Sequence, residues 1–525
     1  MEQARTARER LETGKWLEAL PPCAAHTVRL LQAWKVPAWL VGGAVRDLLL
    51  GRPAYDFDFA LQGDALAVAR RVANALQQPF VALDADRRFG RVVVAQELRD
   101  PVFLDFTELV NGSLEEDLAQ RDFTVNALAI DLSGATGALV DRFSGFWDLW
   151  AGCIRAVSRD VFKSDPLRML RAVRFRAELG FFLEPDTERL VARQARLLKK
   201  VAWERIRDEM CRILASQEAG AHLTYLHDLG LLAPISPELA ALAGVEQSEP
   251  HWQDVLSHSF QVVTELEAVL ACAGLRNRPG AWPGQAPPFA YARLAECLRP
   301  FLLQLQVHLC STTGFGRSRA LLLKWAALLH DVGKPLIQTR EPNGRIRFLG
   351  HDAKGAPLAA EVATRLRFNR REVEALRLVV QHHMRPSLLA AEPKVTRRAT
   401  YRFFRDLGQE GVNVVLLALA DHLATWGSGL QAERWERRLD VSRQLLEGYY
   451  HQRAQVVEPP RWVTGHDLLR LGVGQGPQIG HLLEAIREAQ VEGLVTSKEE
   501  ALAWARQRLA QEDALHGDAA GDGMG

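Results

Sequence analysis

Long apolar runs are missing from this chain: no stretch of about 18 hydrophobic residues occurs anywhere in its 525, and about that many are needed for a helix to cross a bilayer. The opening segment MEQARTARERLETGKW is charged rather than apolar, which argues against a secretory signal. A cytoplasmic location is the expectation, with no membrane partner. Cysteine is also scarce. The six residues Cys23, Cys153, Cys211, Cys272, Cys297 and Cys310 are scattered without a C-x-x-C pair, which argues against a disulfide framework or a zinc knuckle and leaves them as reduced packing residues. A dominant charge is absent too, the formal net charge being +1. That does not exclude nucleic acid, because charge acts locally. Between Lys163 and Arg212 thirteen Lys/Arg stand against eight Asp/Glu, a mild excess that, taken alone, reads as the solvated face of a helix bundle. No internal repeat is evident.

What is present has the texture of a soluble, multidomain protein, 48% hydrophobic and 25% charged, with room for about three or four domains. Up to about residue 150, short β-rich runs (PAWLVGG, YDFDFAL, RVVVAQ, PVFLDF) alternate with helical segments such as DALAVARRVANALQ, the pattern of a mixed α/β domain. Helical periodicity dominates the rest. The Gly/Pro-rich patch at residues 274–288 reads as a loop insertion, and the last residues, HGDAAGDGMG, as disordered.

The segment WLVGGAVRDLLLGRPAYDFDFAL, residues 39–61, carries the first chemistry. Side chains alternate along a strand, so Asp56 and Asp58 share one face of YDFDFAL while Phe57 and Phe59 point into the core. Two carboxylates on one face repel unless a cation sits between them. Hard oxygen ligands of this kind suit Mg²⁺, which takes its remaining ligands from water and substrate phosphates. Upstream, strand, Gly42-Gly43 turn and helix start bring backbone N–H groups toward a triphosphate, and Asp105 in VFLDF offers a third carboxylate from a neighbouring strand. Taken singly, a D-x-D is an exposed strand face and a Gly-Gly is a turn.

Together they resemble the head domain of class II tRNA nucleotidyltransferases, the bacterial CCA-adding enzymes, and their poly(A) polymerase relatives. The pattern G-G-x-V-R-D followed by D-x-D is met by Gly42, Gly43, Val45, Arg46 and Asp47, then Asp56 and Asp58. SLEEDLAQRDFTVNALAI resembles the family's second motif, and the resemblance implies roles for Arg121, Asp122 and Asn126 around the sugar and phosphates of an incoming nucleotide. FSGFWDLWAGCIRAV resembles a hinge motif, with Asp148, Gly152 and Arg155 as structural residues. In FKSDPLRMLRAVRFRAELG the residues alone read as an N-cap, Asp165, followed by proline at the first helical position. The family pattern E-D-x-x-R implies instead that Asp165 and Arg168 read the edge of the incoming base; Ser164 stands where the family has an acid, which puts the positioning of Arg168 in question. Arg171 and Arg174 extend the same polar stripe and are suited to phosphates. VAWERIRDEM resembles a fifth motif, with Glu204 and Arg205 bracing the neck.

A second constellation lies downstream. His258, the adjacent His330 and Asp331, and Asp421 follow in the order H…HD…D, which resembles the HD phosphohydrolase superfamily. The resemblance implies a divalent transition metal, with Mn, Ni, Co or Fe suited to imidazole and carboxylate, and His351 with His382 or His383 as further ligands. The resemblance organises the chain as a helical leader (1–30), a nucleotidyltransferase head (31–150), a helical neck with the nucleotide-recognition helix (151–230), an HD-type helical domain (231–455), a C-terminal tRNA-contacting segment (456–512) and a tail (513–525). The expected function is template-independent addition of C and A to the 3′ end of tRNA from CTP and ATP, with Mg²⁺ in the head, a second phosphohydrolase activity in the HD domain and no obligate protein partner. One feature points elsewhere. After Asp105 the chain reads FTELVNG and reaches SLEEDL at once, leaving little room for the flexible loop of complete CCA-adding enzymes. This shortness resembles the CC-adding branch, in which a separate enzyme adds the terminal A; A-only or poly(A) addition is a further alternative. From another class, the alternative is an HD hydrolase with an RNA-binding head.

Overall fold

The computed structural model describes residues 6–521 except 8, 10, 12, 85–87, 97–98, 135, 276–283 and 314–315. The chain forms two compact units, Met1–Ser216 with Tyr225–Ile235, and Gln217–Thr224 with Ser236–Gly525. None of the described helices is long and apolar enough to cross a membrane. All six cysteines are free, and Cys153, Cys211, Cys272 and Cys297 are buried.

The first unit is built on a sheet whose strands are β1 (Ala38–Val41), β2 (Asp56–Leu61), β3 (Phe80–Asp84), β4 (Phe89–Gln96), β5 (Arg99–Glu108), β6 (Leu128–Asp131) and β7 (Ala138–Asp141). Their order is β3-β4-β5-β2-β1-β6-β7, with β2 and β5 parallel and the other neighbours antiparallel. The mixed sheet read from the sequence is therefore present. Among its helices are α1 (Gly43–Leu49), α2 (Ala65–Leu76), α3 (Leu114–Ala119), α4 (Arg168–Leu179) and α5 (Trp203–Ala215). Alternation in DFDFAL decides the two faces of β2: Phe57 and Phe59 are buried, and Phe59 stacks on Phe106 of β5 with ring centroids 5.1 Å apart. Asp64 caps α2 by accepting from the Ala67 N–H at 3.0 Å, the arrangement expected of an aspartate before a helix.

The second unit is helical around its centre, with α6 (Val255–Cys272), α7 (Arg319–Leu329), α8 (His351–Arg365), α9 (Arg370–His382), α10 (Glu410–Trp426) and α11 (Ala432–Tyr450). Its C-terminal part, α12 (Gly465–Arg470), α13 (Pro477–Glu492) and α14 (Lys498–Gly521), closes a separate small apolar core on Leu468, Leu482, Ile486 and Ala501. The helical backbone of α14 runs to residue 521 through the stretch whose composition reads as disordered; residues 522–525 lie outside the described residues, as do 276–283 of the Gly/Pro-rich insertion.

Candidate functional site

The carboxylates of the head are gathered by strand register. β2 and β5 run parallel with Asp58 opposite Asp105, and register partners in adjacent strands project from the same face. Asp56 is exposed, Asp58 half-buried and Asp105 buried. Burial pushes the Asp58 carboxyl up to about 6, helped by the like charges of Asp105 and Asp56 and opposed by Arg121. Asp56 is raised too, by desolvation first and by Asp105, with Arg91 and Arg212 opposing. Carboxylates held this close, with Asp56 and Asp58 both raised, form a site that a cation relieves. Asp105 is also held from behind: Arg91, opposite it in β4, donates through Nε and Nη2 at 2.7 and 2.6 Å. The sequence reading missed Arg91, although its place in an alternating strand beside VFLDF was the available signal.

At the end of β1 the chain turns through Gly42, whose φ of +80° and ψ of −137° belong to glycine. A Cβ there would overlap the Arg121 guanidinium and press on Asp58. The glycine thus lets Arg121 lie against the turn and beside the carboxylate.

A cavity of about 610 Å³ opens in front of these residues. Apart from Gly42 and Asp105, every carboxylate and nucleotide-binding residue expected in the head and recognition helix lines this cavity. Within it Arg46 chelates Asp47 through Nε and Nη2 (2.9 and 2.8 Å) and donates to Asn126 Oδ1 at 2.7 Å. Asn126 in turn donates to Asp122 Oδ1 at 2.9 Å, which fixes its orientation. Burial pushes Asp122 up, but Arg171, whose Nε donates to it at 2.7 Å, and the hydrogen bonds of Asn126 and the Phe123 N–H outweigh it and hold the carboxyl below its usual range.

The recognition helix differs in detail from its sequence reading. α4 begins at Arg168, while Asp165 stays extended and accepts from the Leu167 N–H at 3.2 Å, because an Asx-type turn satisfies the free N–H before the helix closes. Asp165 pairs with Arg205, at 2.8 Å, rather than with Arg168. Arg205, read as a brace of the neck, is therefore a cavity residue that holds the Asp165 carboxylate. Arg168 donates to the carbonyls of Gln120 (2.6 Å) and Arg121 (3.4 Å), with the Ser164 hydroxyl at 3.5 Å; backbone carbonyls and a hydroxyl do the holding where the family has an acid. Arg171 and Arg174, read as phosphate ligands, are both engaged by carboxylates: Arg171 by Asp122, and the buried Arg174 by Glu209 at 2.9 Å. The residues expected at the hinge are tied into their surroundings. Asp148 accepts from Thr124 Oγ1 (2.7 Å) and Arg155 Nε (3.0 Å), and Gly152 closes the helix before it at φ +68°.

In the second unit, α6 supplies His258, the end of α7 His330 and Asp331, the start of α8 His351, the end of α9 His383 and α10 Asp421. His258 Nε2 lies 3.0 Å from Asp421 Oδ1, His330 Nε2 3.0 Å from Asp331 Oδ2, and His351 Nε2 3.2 Å from Asp331 Oδ1 and 3.1 Å from His383 Nε2. Of the two adjacent histidines the structure brings in His383, which is buried; His382 is half-buried and outside the cluster. His330, His351 and His383 each place Nδ1 at 2.7–2.8 Å from the backbone carbonyl three residues earlier, those of Ala327, Phe348 and Val380. A carbonyl only accepts, so Nδ1 carries the hydrogen and each Nε2 lone pair faces the cluster. Two imidazole lone pairs 3.1 Å apart repel unless a cation lies between them, and outward Nδ1–H···O=C contacts are the usual support of metal-bound histidine. His330 Nε2 and Asp331 Oδ2 are in addition fully buried and face each other at 3.0 Å. The donor set fits a divalent transition metal. Lys334 Nζ, 2.6 Å from Asp331 Oδ2, was missed; its place three residues after Asp331 was the signal.

Three family descriptions match the chain: "Poly A polymerase head domain" over residues 38–155, "Probable RNA and SrmB- binding site of polymerase A" over 180–242, and "HD domain" over 293–426. The chain is 35% identical over 483 residues to the A-adding tRNA nucleotidyltransferase of Deinococcus radiodurans, covering 90% of this chain and 96% of that one. It is 35% identical over 475 residues to the CC-adding tRNA nucleotidyltransferase of Thermus thermophilus, covering 89% and 92%. Among solved structures, a CCA-adding enzyme in complex with CTP superposes with a TM-score of 0.61 at 21% identity, covering 94% of this chain and 98% of that one. The Thermotoga maritima CCA-adding enzyme complexed with tRNA gives 0.57 at 21% identity over the same shares.

Proposed function

The chain belongs to the class II CCA-adding family of tRNA nucleotidyltransferases, enzymes that transfer nucleotides to tRNA 3′ ends, and we propose that it reads one kind of base and adds part of the CCA end rather than all of it. The observation that carries this reading is the connection after the third carboxylate. β5 ends at Glu108, a single turn spans Val110–Gly112, and Ser113 then caps α3. No loop of useful length separates Asp105 from Arg121, and Arg168 hangs on the carbonyls of Gln120 and Arg121 at the end of that same connection. A pocket that reads C and then A must change shape between additions; here the base-reading side chains are tied to a short, capped segment. The A-adding and CC-adding relatives, each covering about nine-tenths of this chain, support the same reading.

In this mechanism Asp56 and Asp58, with Arg91-clamped Asp105 beside Asp58, would hold Mg²⁺, which would supply charge stabilisation to the phosphates and lower the pKa of the tRNA 3′-hydroxyl. Arg121 faces the same carboxylates and offers its guanidinium to the triphosphate. Asn126, oriented by Arg46 and Asp122, keeps an N–H and a lone pair for a ribose hydroxyl. Asp165 accepts from an exocyclic amino group, and Arg168 donates to the adjacent ring acceptor. Cytosine and adenine present an amino donor at that edge, whereas uracil and guanine present a carbonyl that a carboxylate rejects. The 3′-hydroxyl attacks the α-phosphate, pyrophosphate leaves, and catalysis is positioning and electrostatics.

The test offers purified protein three tRNAs, ending at the discriminator base, at C and at CC, each with CTP, ATP or both. Products that stop at CC, or A added only to the CC-ending tRNA, are expected. Growth of the first substrate to a complete CCA end by this protein alone overturns the reading. The converging imidazole lone pairs favour a second reading for the other unit: a metal-dependent phosphohydrolase, with Mn, Ni, Co or Fe as candidate ions.

A further inference from the structure

The metal-ligand cluster of the second unit opens into a cavity of about 720 Å³. Its lining includes Arg438 of α11, a residue beyond the segment matched as an HD domain. Arg438 is 9% exposed, and its Nε and Nη1 are buried without any hydrogen-bond partner. Its third nitrogen, Nη2, lies 3.5 Å from His422 Nδ1. Among the described residues no carboxylate comes within salt-bridge distance of it. A guanidinium has no lone pair to offer, so His422 Nδ1 is the acceptor in that contact and its Nε2, also buried and unpartnered, carries the hydrogen. Three buried N–H donors thus line the cavity with no acceptor to receive them. Asp421 attracts the Arg438 charge without contacting it, and burial still lowers Arg438 from its ordinary value; a buried charge without a direct partner is costly, and the ordinary remedy is a counter-charge in contact.

We propose that Arg438 and His422 form the anion receptor of this centre and seat the phosphate group of a phosphate ester against the metal-ligand cluster. The guanidinium fork matches two oxygens of one phosphate. The neutral imidazole adds a donor without adding charge. Arg434, which lies over the Trp426 ring at 4.6 Å, and Arg437 line the mouth of the same cavity, a surface suited to the base and further phosphates of a nucleotide or an RNA end. That the bound group is an ester to be hydrolysed rests on the phosphohydrolase reading above; that an anion binds at Arg438 does not.

The test uses the full chain stripped of metal, with inorganic phosphate as probe. Equilibrium binding should show one more phosphate site in wild type than in Arg438→Met, with Arg434→Met retaining the wild-type number because its guanidinium is at the mouth. The same number and affinity in Arg438→Met overturns the proposal. Should Arg438→Met lose its fold by circular dichroism, wild type itself decides: phosphate should protect Arg438 from phenylglyoxal, mapped by mass spectrometry, and absence of protection refutes the receptor. Mn²⁺ uptake is measured separately. Its absence defeats the hydrolytic reading, while Arg438-dependent phosphate binding still decides this one. With metal restored, a 3′-phosphorylated RNA oligonucleotide and a mononucleotide as competitors of phosphate distinguish the two sources of ester.

Discussion

If Asp58 holds Mg²⁺ as proposed, proton and metal compete for it in the head. Its carboxyl is pushed up to about 6 by burial and by Asp105 and Asp56, so near neutrality it is ionised and free to hold Mg²⁺, and below about pH 6 a proton occupies the ligand. For one competing proton the apparent dissociation constant scales as one plus the ratio of proton concentration to the acid constant. With a pKa of about 6 that factor is close to one at about pH 7.5 and about eleven at about pH 5. Mg²⁺ affinity should therefore weaken about tenfold across this window, as measured by calorimetric titration of wild type against Asp58→Asn, which isolates the head site. Arg121→Gln removes the opposing positive charge and should move the transition to higher pH. The sign for stability is opposite to that of an ordinary salt-bridged aspartate. The folded, metal-free chain binds this proton more tightly than the unfolded chain, so the contribution of Asp58 to stability grows as pH falls through about 6 and is complete below the ordinary value of 3.8. A Mg²⁺ affinity that changes less than about twofold over the window refutes the placement of Asp58 as a ligand in a desolvated acid cluster.

Gly42→Ala forces a side chain into a glycine-only conformation and against Arg121; it should cost about 1–3 kcal/mol in urea denaturation and lower nucleotide addition further than that loss explains. Glu209→Ala strands the buried Arg174, leaving only Glu178 at 3.5 Å, and should destabilise the chain by about 3 kcal/mol; a change under about 1 kcal/mol means the pair contributes as a surface bridge does. His330→Ala combined with Asp331→Ala should abolish bound transition metal, read by elemental analysis, and any phosphoester hydrolysis, while nucleotide addition stays near wild type.

Much of the head was legible because its determinants are local. Alternation alone puts Asp56 and Asp58 opposite Phe57 and Phe59, and the Gly42-Gly43 pair marks the turn between strand and helix, where Gly42 takes a backbone no other residue adopts at ease. The HD order of His258, His330, Asp331 and Asp421 was legible in a different way, as a pattern whose members had to meet wherever the fold placed them.

Partnerships across the chain were decided by tertiary structure. Asp165 and Arg205 are forty residues apart in sequence, and nothing in either segment says that the carboxylate turns to Arg205 rather than to Arg168. The clamp of Arg91 on Asp105 needs the β4–β5 register, since a shift of one residue would send the two side chains to opposite faces. His382 and His383 are equal candidates on paper; the end of α9 points only the second toward His351. Arg438 carries no motif, and it becomes a candidate ligand only when α11 packs beside α10 and leaves its guanidinium buried without a carboxylate. Local sequence sets dihedral preferences and faces, but which charges meet, and which are left without a partner, depends on packing between segments far apart in the chain.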